Sequence, residues 1–332
     1  MIFDNLPLIF AGLMGLSILI YVILDGFDLG VGLLFPFATP DQRDQMVASI
    51  GPFWDANETW LVLAVGILLV AFPAAHGAIL TALYLPVFVM LIGLILRGVA
   101  FEFRAKAPKV QKPLWDGAFF TGSLMASASQ GFMLGIYIMG LNYTGWHIAF
   151  ALLIGALLTI AYSFIGAVWV VGKSEGALLG RAVIWAQGGI WGAVLGLGAV
   201  SLATPFVSTR IADKWFAWPQ SLYLAPLPIA SAALMAVIFL SLRRLRAAPD
   251  SHTHWTPFFA TSALFALGFA GMAFSFYPYI VPEKLTIVQA ASAPESLIII
   301  LWGVVIVLPI IIAYSALSYV IFRGKSRALR YD

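Results

Sequence analysis

Long apolar segments recur along almost the whole chain, and they constrain the fold more than any other feature. A helix needs about 20 predominantly apolar residues to cross the hydrocarbon core of a bilayer. Nine segments meet this requirement, and they span residues 6–32, 52–72, 76–98, 116–140, 146–171, 182–205, 220–242, 257–279 and 296–322. The sequence therefore predicts an all-α membrane protein with nine transmembrane helices in a single polytopic membrane domain over residues 1–332.

The composition excludes a soluble fold and several kinds of chemistry. Only 10% of the residues are charged and 62% are hydrophobic, whereas a soluble domain has about 25% charged residues. A net charge of +3 gives no basic surface for nucleic acid. The sequence has no cysteine, which excludes disulfides, thiolate zinc sites and iron–sulfur clusters. Metal or redox chemistry would have to use His, Met or carboxylate ligands.

The basic residues are distributed unevenly between the two sets of predicted loops. Of the 18 Lys and Arg residues, only Arg210, Lys214 and Lys284 fall on one side of a nine-helix topology. Loops on the cytoplasmic side of a membrane carry the excess of Lys and Arg. This asymmetry predicts that the N-terminus is periplasmic and the C-terminus cytoplasmic.

Ionisable side chains within the first three predicted helices are the main candidates for a functional site. Six of them are expected near the cytoplasmic ends of these helices: Asp25, Asp28, Asp55, Glu58, Arg97 and Glu102. Asp25 and Asp28 have i, i+3 spacing, as do Asp55 and Glu58, so each pair lies on one face of its helix. Ionisable residues inside membrane spans tend to face the bundle interior and to mark proton or ion routes.

Two interpretations of these residues remain open. In a structural interpretation, the acids of the second helix complement its positive N-terminus, and those of the first helix pair with Arg97 or Arg104. In a functional interpretation, five acids outnumber the nearby cations, so some carboxylates lack a partner and can exchange protons. The functional interpretation is favoured for Asp25, Asp55 and Glu58. The structural interpretation, with supporting ion pairs to Arg97, is favoured for Asp28 and Glu102.

The positions of His and Met predict that this chain ligates no haem and no metal. A transmembrane haem is usually held by His or Met side chains that project from facing helices. His76 and His147 fall at the outer ends of predicted helices, while His252 and His254 lie in a cytoplasmic loop. The nine Met residues are scattered singly, as is typical of residues that fill gaps in a core.

Four motifs, in order along the chain, carry a resemblance to a known family. They are Asp-Gly-Phe-Asp-Leu-Gly-Val-Gly at 25–32, Gly-Pro-Phe-Trp-Asp-Ala-Asn-Glu-Thr-Trp-Leu-Val at 51–62, Leu-Arg-Gly-Val-Ala-Phe-Glu-Phe-Arg at 96–104 and Tyr-Pro-Tyr-Ile-Val-Pro at 277–282. Together they resemble subunit II of the cytochrome bd quinol oxidases. The chain length and the short outer loops look closest to the branch that includes the cyanide-insensitive oxidases.

The resemblance implies a haem-free subunit of a terminal oxidase of the bacterial inner membrane, which oxidises quinol and reduces dioxygen to water. Two b-type haems, one d-type haem and the quinol-oxidation loop would belong to subunit I, which this chain would stabilise as a heterodimer. The nine helices would form two four-helix bundles and one peripheral helix. Small single-helix accessory subunits occur as further partners of this kind of complex, and some members bind a quinone, for which no residue here identifies a site.

The resemblance also assigns Asp55, in the Trp-Asp motif, to a proton pathway from the cytoplasm. Trp54 would orient it, although a packing role for this indole fits equally well. Glu58 stands where other members can have an uncharged residue, and it would supply the pathway together with Asp25. We further expect the partner-facing surface to be apolar and rich in small residues, as on the first-helix face of Gly26 and Gly30.

A stand-alone proton-coupled transporter is the alternative function. Nine spans with membrane carboxylates would suit one equally well on composition. Transporter sites usually lie near the bilayer midplane, between interrupted helices. Here the acids cluster in one leaflet and the midplane is almost uncharged, which argues against this alternative.

Overall fold

The structure is a computed structural model that describes residues 5–207, 209–249 and 253–326. In chain order its helices are α1 (Leu6–Leu33), α2 (Pro40–Ile50), α3 (Trp54–Ala71), α4 (Pro73–Lys106), α5 (Lys112–Ile138), α6 (Gly145–Lys173), α7 (Gly176–Val207), α8 (Thr209–Phe216), α9 (Gln220–Leu224), α10 (Pro226–Ala247), α11 (Thr256–Phe276), α12 (Ile287–Ala290) and α13 (Pro294–Ile321). A 3₁₀ turn covers Phe35–Phe37. Two short strands, β1 (Tyr279–Val281) and β2 (Leu285–Thr286), pair as an antiparallel hairpin.

Each of the nine predicted spans overlaps one long helix of the described chain. Eight of these helices are long and apolar enough to cross a membrane. The remaining one, α5, has 27 residues but a more polar sequence that is rich in Gly and Ser. It packs against α4 on one side, α6 on the other, and α1. Because its neighbours cover so much of its surface, α5 does not need the apolar exterior that a lipid-facing helix requires.

The ends of several helices meet at one end of the bundle, which we call the basic end. Lys173, the last residue of α6, donates to the carbonyl oxygens of Phe322 and Gly324 just beyond α13. At the opposite end, which we call the hairpin end, the Tyr137 hydroxyl donates to Ile280 O in β1 at 2.6 Å. The Ser292 hydroxyl donates there to Val70 O at the end of α3.

An aromatic cluster fixes α13 against the first helices near the basic end. The Trp169 ring of α6 stacks on Phe27 of α1 with a centroid separation of 4.0 Å. Phe53, just before α3, meets Trp169 edge-on and stacks on Tyr319 of α13 at 4.5 Å. These contacts bring the Tyr319 hydroxyl to the place where the ionisable residues of α1 and α3 gather.

Backbone-to-backbone contact between α1 and α6 depends on small residues. A Cβ on Gly30 would lie 1.8 Å from Tyr162 O, and one on Gly166 would lie 2.5 Å from the carbonyl carbon of Gly30. A Cβ on Gly26 would lie 2.9 Å from the Tyr162 ring. Gly26 and Gly30 therefore serve packing inside this chain, and the expectation that they lie on the partner-facing surface is wrong.

Candidate functional site

Three helices bring four ionisable side chains together in what we call the acid cluster: Asp25, Asp28, Glu58 and Arg97. Asp25 and Asp28 lie on one face of α1, Glu58 near the start of α3 and Arg97 in the last third of α4. Arg97 Nη2 lies 2.8 Å from Asp25 Oδ1 and 3.7 Å from Asp28 Oδ2. Arg97 Nη1 donates to Glu58 Oε1. The described chain thus brings together four of the six ionisable residues that were expected to converge, without Asp55 and Glu102.

The acid cluster has three acids and one cation, and most of these side chains are buried. The side chains of Asp25 and Asp28 are fully buried and that of Arg97 is 1% exposed, whereas Glu58 is 28% exposed. Within the described residues, Arg97 is the cation that lies within 4 Å of these acids. Asp25 Oδ2 and Asp28 Oδ1 accept no hydrogen bond from any described residue. Such free acceptors are rare among buried polar atoms, and they leave the cluster with room to bind protons.

Asn57 and Tyr319 belong to the same site, although the sequence analysis did not identify them. Asn57 Nδ2 donates to Asp28 Oδ2 at 2.7 Å, and the Tyr319 hydroxyl donates to Asn57 Oδ1 at 2.9 Å. These bonds connect α13 to α3 and α1. A signal for Asn57 was available, because a buried amide in the first turns of a membrane helix needs polar partners.

Trp54 and Asp55 are neighbours in sequence but point to different surroundings. The Trp54 ring packs on Phe101 at 5.2 Å and lies over the Arg97 guanidinium at 5.5 Å, a distance suited to a cation–π contact. Asp55 lies in the first turn of α3, as predicted, but its side chain is exposed on the surface of this chain. It remains within electrostatic reach of Glu58.

A cavity of about 550 Å³ opens at the basic end beside Trp54. Phe101, Glu102, Lys173 and Lys325 also line it. Glu102 is exposed, and no cation among the described residues lies within 4 Å of it, so the expected ion pair between Glu102 and Arg97 is absent from the described structure. Partial burial lowers the pKa of Lys325, with Glu175 acting in the opposite direction. Trp54 therefore contacts both this cavity and Arg97 of the acid cluster.

A second ionic network, which was not predicted from the sequence, lies at the basic end. Arg104 of α4 donates to Asp116 and, at 2.7 Å, to Asp44 of α2. Asp116 also binds Arg43 at 2.9 Å, and Asp44 binds Lys112 at 3.1 Å. Burial raises the pKa of Asp44, but its bonds to Arg104 and Lys112 outweigh this effect and leave the pKa below its usual value. Arg104 therefore belongs to this network, and Arg97 is the partner of the α1 acids.

The three histidines of the described residues lie at helix ends or in a loop. His76 and His147 lie in the first turns of α4 and α6, and His147 is bonded to the Thr144 hydroxyl at 2.7 Å. His254 lies between α10 and α11, beside Lys325, and His252 lies outside the described residues. In the described chain no group of three His, Asp or Glu side chains could hold a metal ion.

Comparisons with known proteins agree with the motifs. The profile of the family "Cytochrome bd terminal oxidase subunit II" matches residues 6–322. Cytochrome bd ubiquinol oxidase subunit 2 of Bacillus subtilis (strain 168) is 28% identical, covering 92% of both chains. Cytochrome bd-I ubiquinol oxidase subunit 2 of Escherichia coli (strain K12) is 27% identical, covering 92% of this chain and 91% of its own.

The fold itself also has a solved counterpart. A chain of the bd oxidase from Geobacillus thermodenitrificans superposes with a TM-score of 0.73 at 18% identity, over 97% of this chain and 100% of that one. The family profile covers nearly the whole length of the multi-pass membrane chain described above. The chain therefore belongs to the cytochrome bd terminal oxidase subunit II family and is a subunit of an oxidoreductase complex of the bacterial inner membrane.

Proposed function

We propose that this chain is the haem-free subunit of a quinol oxidase, which stabilises the haem-bearing subunit I and delivers protons to it from the cytoplasm. The complex would oxidise a quinol and reduce dioxygen to water. The B. subtilis and E. coli relatives are both named as ubiquinol oxidase subunits, which supports a quinol as the electron donor. The two b-type haems and the d-type haem would be held by subunit I. The poor fit of the His positions in this chain to a haem supports that division.

The proposal also includes a transmembrane topology for this chain. All nine long helices would cross the membrane, as two four-helix bundles and one peripheral helix. The basic end would face the cytoplasm, which places the N-terminus in the periplasm and the C-terminus in the cytoplasm. The concentration of Arg43, Arg104, Lys112 and Lys173 at that end supports this orientation.

The surface of α3 is the part of this chain that we assign to subunit I. Asp55, Thr59 and Val62 follow one another at i, i+4 and i+7, and all three are exposed. A carboxylate at membrane depth avoids lipid and faces protein or a water-filled path. A partner subunit that covers this face would shield Asp55 and receive protons from it.

The acid cluster is the observation that carries the proposed proton pathway. A carboxylate can take up a proton on one side and release it on another, which an amide of the same shape cannot do. Glu58 is partly exposed and contacts Arg97, which also binds the buried Asp25. Protons would pass between Asp55 at the subunit surface, Glu58 and Asp25, while Trp54 packs over Arg97 and holds it in place.

Replacement of Asp55 by Asn tests this function. We expect Asp55→Asn to slow oxygen consumption per haem at least about tenfold, below the ~10²–10⁴-fold typical of a positioned proton-transfer group, with haem content unchanged. Asp41→Asn is the matched control, because Asp41 is an exposed acid at the same end of the bundle and lies outside the acid cluster. Unchanged activity per haem in Asp55→Asn would remove Asp55 from the pathway. A colourless preparation that lacks a second membrane chain would instead favour the transporter.

A further inference from the structure

A chain of hydrogen bonds through Gln130 ends at Tyr21, one helical turn from Asp25. The Tyr162 hydroxyl of α6 donates to Gln130 Oε1 of α5 at 2.8 Å. Gln130 Nε2 in turn donates to the Tyr21 hydroxyl of α1 at 2.7 Å. Both tyrosines are buried. Tyr21 lies one helical turn before Asp25, and its hydroxyl is close enough to interact with that carboxylate both through charge and as a hydrogen-bond donor. A glutamine between two tyrosines inside a membrane bundle is a polar arrangement that packing alone does not require.

The side-chain amide of Gln130 sets the direction in which these hydrogen bonds are donated. The oxygen of a glutamine side chain only accepts hydrogen bonds, and its nitrogen only donates them. Tyr162 therefore uses its hydrogen on Gln130, and Tyr21 uses an oxygen lone pair to accept from Gln130. The hydrogen of Tyr21 remains available for another acceptor. Asp25 Oδ2, buried and without a hydrogen bond from any described residue, is an acceptor of this kind on the same helix.

We propose that Tyr162, Gln130 and Tyr21 form a donor chain that directs the Tyr21 hydroxyl at the free oxygen of Asp25 and so positions Asp25 for proton exchange. This inference rests on the proposed proton-delivery function and makes Tyr21 a positioning residue. Arg97 fixes one oxygen of Asp25 at 2.8 Å, and Tyr21 controls the other. The carboxylate is then held in one orientation without a second cation.

A similar series of hydrogen bonds ends at Asp28. Tyr319 donates to Asn57, and Asn57 donates to Asp28, which again places a tyrosine, an amide and an aspartate in sequence. Side-chain amides are not proton carriers, because they neither take up nor release a proton at ordinary pH. Gln130 and Asn57 therefore carry no protons, and the buried aspartates exchange protons with Glu58.

Infrared spectroscopy of the assembled oxidase tests the donor chain through a signal that a packing role would not affect. The carboxyl band of Asp25 is identified by its loss in Asp25→Asn. We expect this band to shift in Tyr21→Phe and, less strongly, in Gln130→Met. Oxygen consumption per haem should fall about tenfold in Tyr21→Phe, the usual effect of one hydrogen bond to a charged group. Tyr137→Phe is the control, because Tyr137 is a phenol of α5 that donates to a backbone oxygen at the hairpin end.

The outcomes separate this inference from the proposed function. An unshifted Asp25 band in both Tyr21→Phe and Gln130→Met, with Asp25→Asn inactive, overturns the donor chain and leaves proton delivery through the acid cluster standing. An equal band shift in Tyr137→Phe also overturns it, because the effect would then be general. Full activity per haem in Asp25→Asn overturns the proton pathway itself. If Tyr21→Phe fails to assemble, the band in Gln130→Met, which keeps the Tyr21 hydroxyl, decides.

Discussion

Arg97 binds two carboxylates and lies 3.7 Å from a third, at a depth where unpaired charges are costly. Removal of one member of a buried ion pair typically costs 3–5 kcal/mol, because the remaining charge is left uncompensated. We expect Arg97→Leu to lower the thermal stability and the yield of the assembled complex accordingly. Arg243→Leu, at an exposed position of α10, should leave both close to wild type. Wild-type stability of Arg97→Leu would show that the acids are already neutralised by bound protons.

Asp44 provides a pH test outside the membrane spans. Burial raises the pKa of Asp44, but the bonds to Arg104 and Lys112 lower it by more than burial raises it. The pKa in the folded state therefore lies below the ordinary value. A carboxylate of this kind stabilises the fold above about pH 4, its unfolded pKa, and loses that contribution as the pH falls through the folded value. Because Asp44 is 34% exposed, solvent screening limits the contribution to about 1 kcal/mol.

The pH dependence of thermal unfolding measures this contribution. Asp44→Asn should unfold at a lower temperature than wild type at pH 7, and the difference should shrink as the pH falls below about 4 and disappear below the folded-state pKa of Asp44. Asp41→Asn should show a smaller difference at pH 7, since Asp41 is exposed in the first turn of α2 and makes no ion pair to a described residue. A difference between Asp44→Asn and wild type that persists at low pH would mean that Asp44 acts through packing rather than charge.

Sequence reasoning identified the acid cluster at the level of residues because spacing and helix length determine depth. Asp25, Glu58 and Arg97 could be placed in one leaflet by counting residues along antiparallel helices. The Asp44–Arg104 pair could not be found in this way, since its members are 60 positions apart and lie in segments without a periodic signal. Gln130 could also have been identified from the sequence, because an amide inside a membrane span needs a polar partner.

At the level of secondary structure, the close approach of α1 and α6 gives a sharp prediction. A Cβ on Gly30 would overlap Tyr162 O and crowd Gly166, and backbone cannot give way as a flexible side chain can. We expect Gly30→Ala to cost at least about 1–3 kcal/mol, the usual penalty for overpacking, and to reduce assembled complex. Gly12→Ala is the matched control on the same helix, since its Cβ would meet nothing within 4 Å. Equal stability of the two variants would contradict the observed contact.

Helices with a polar exterior were the ones that hydropathy could not predict. The segment that becomes α2 is too polar to read as a membrane span, yet a capping box between Thr39 and Gln42 starts a helix there. α4 runs to Lys106, beyond the predicted bound at residue 98, since Arg104 gains ionic partners past the apolar region. Apolar length predicts the part of a helix that lies in lipid, and polar contacts extend it.

At the level of the whole molecule, the described residues form two separate ionic groups. The network around Arg104 and Asp116 joins α2, α4 and α5 at the basic end. The acid cluster is formed by α1, α3 and α4, has more acids than cations, and includes the partly exposed Glu58. Neither location follows from composition. They follow from which helices pack together, and that depends on small residues such as Gly30 and Gly166.

Proton uptake measures the central proposal more directly than turnover does. The reduced oxidase is reconstituted in vesicles with the basic end outward and mixed with oxygen, and uptake is followed with an external pH indicator. The proposal predicts that Glu58→Gln and Asp55→Asn slow uptake at least about tenfold, while Asp41→Asn takes up protons at the wild-type rate. Wild-type uptake in both Glu58→Gln and Asp55→Asn, at normal haem content, would contradict proton delivery through this subunit.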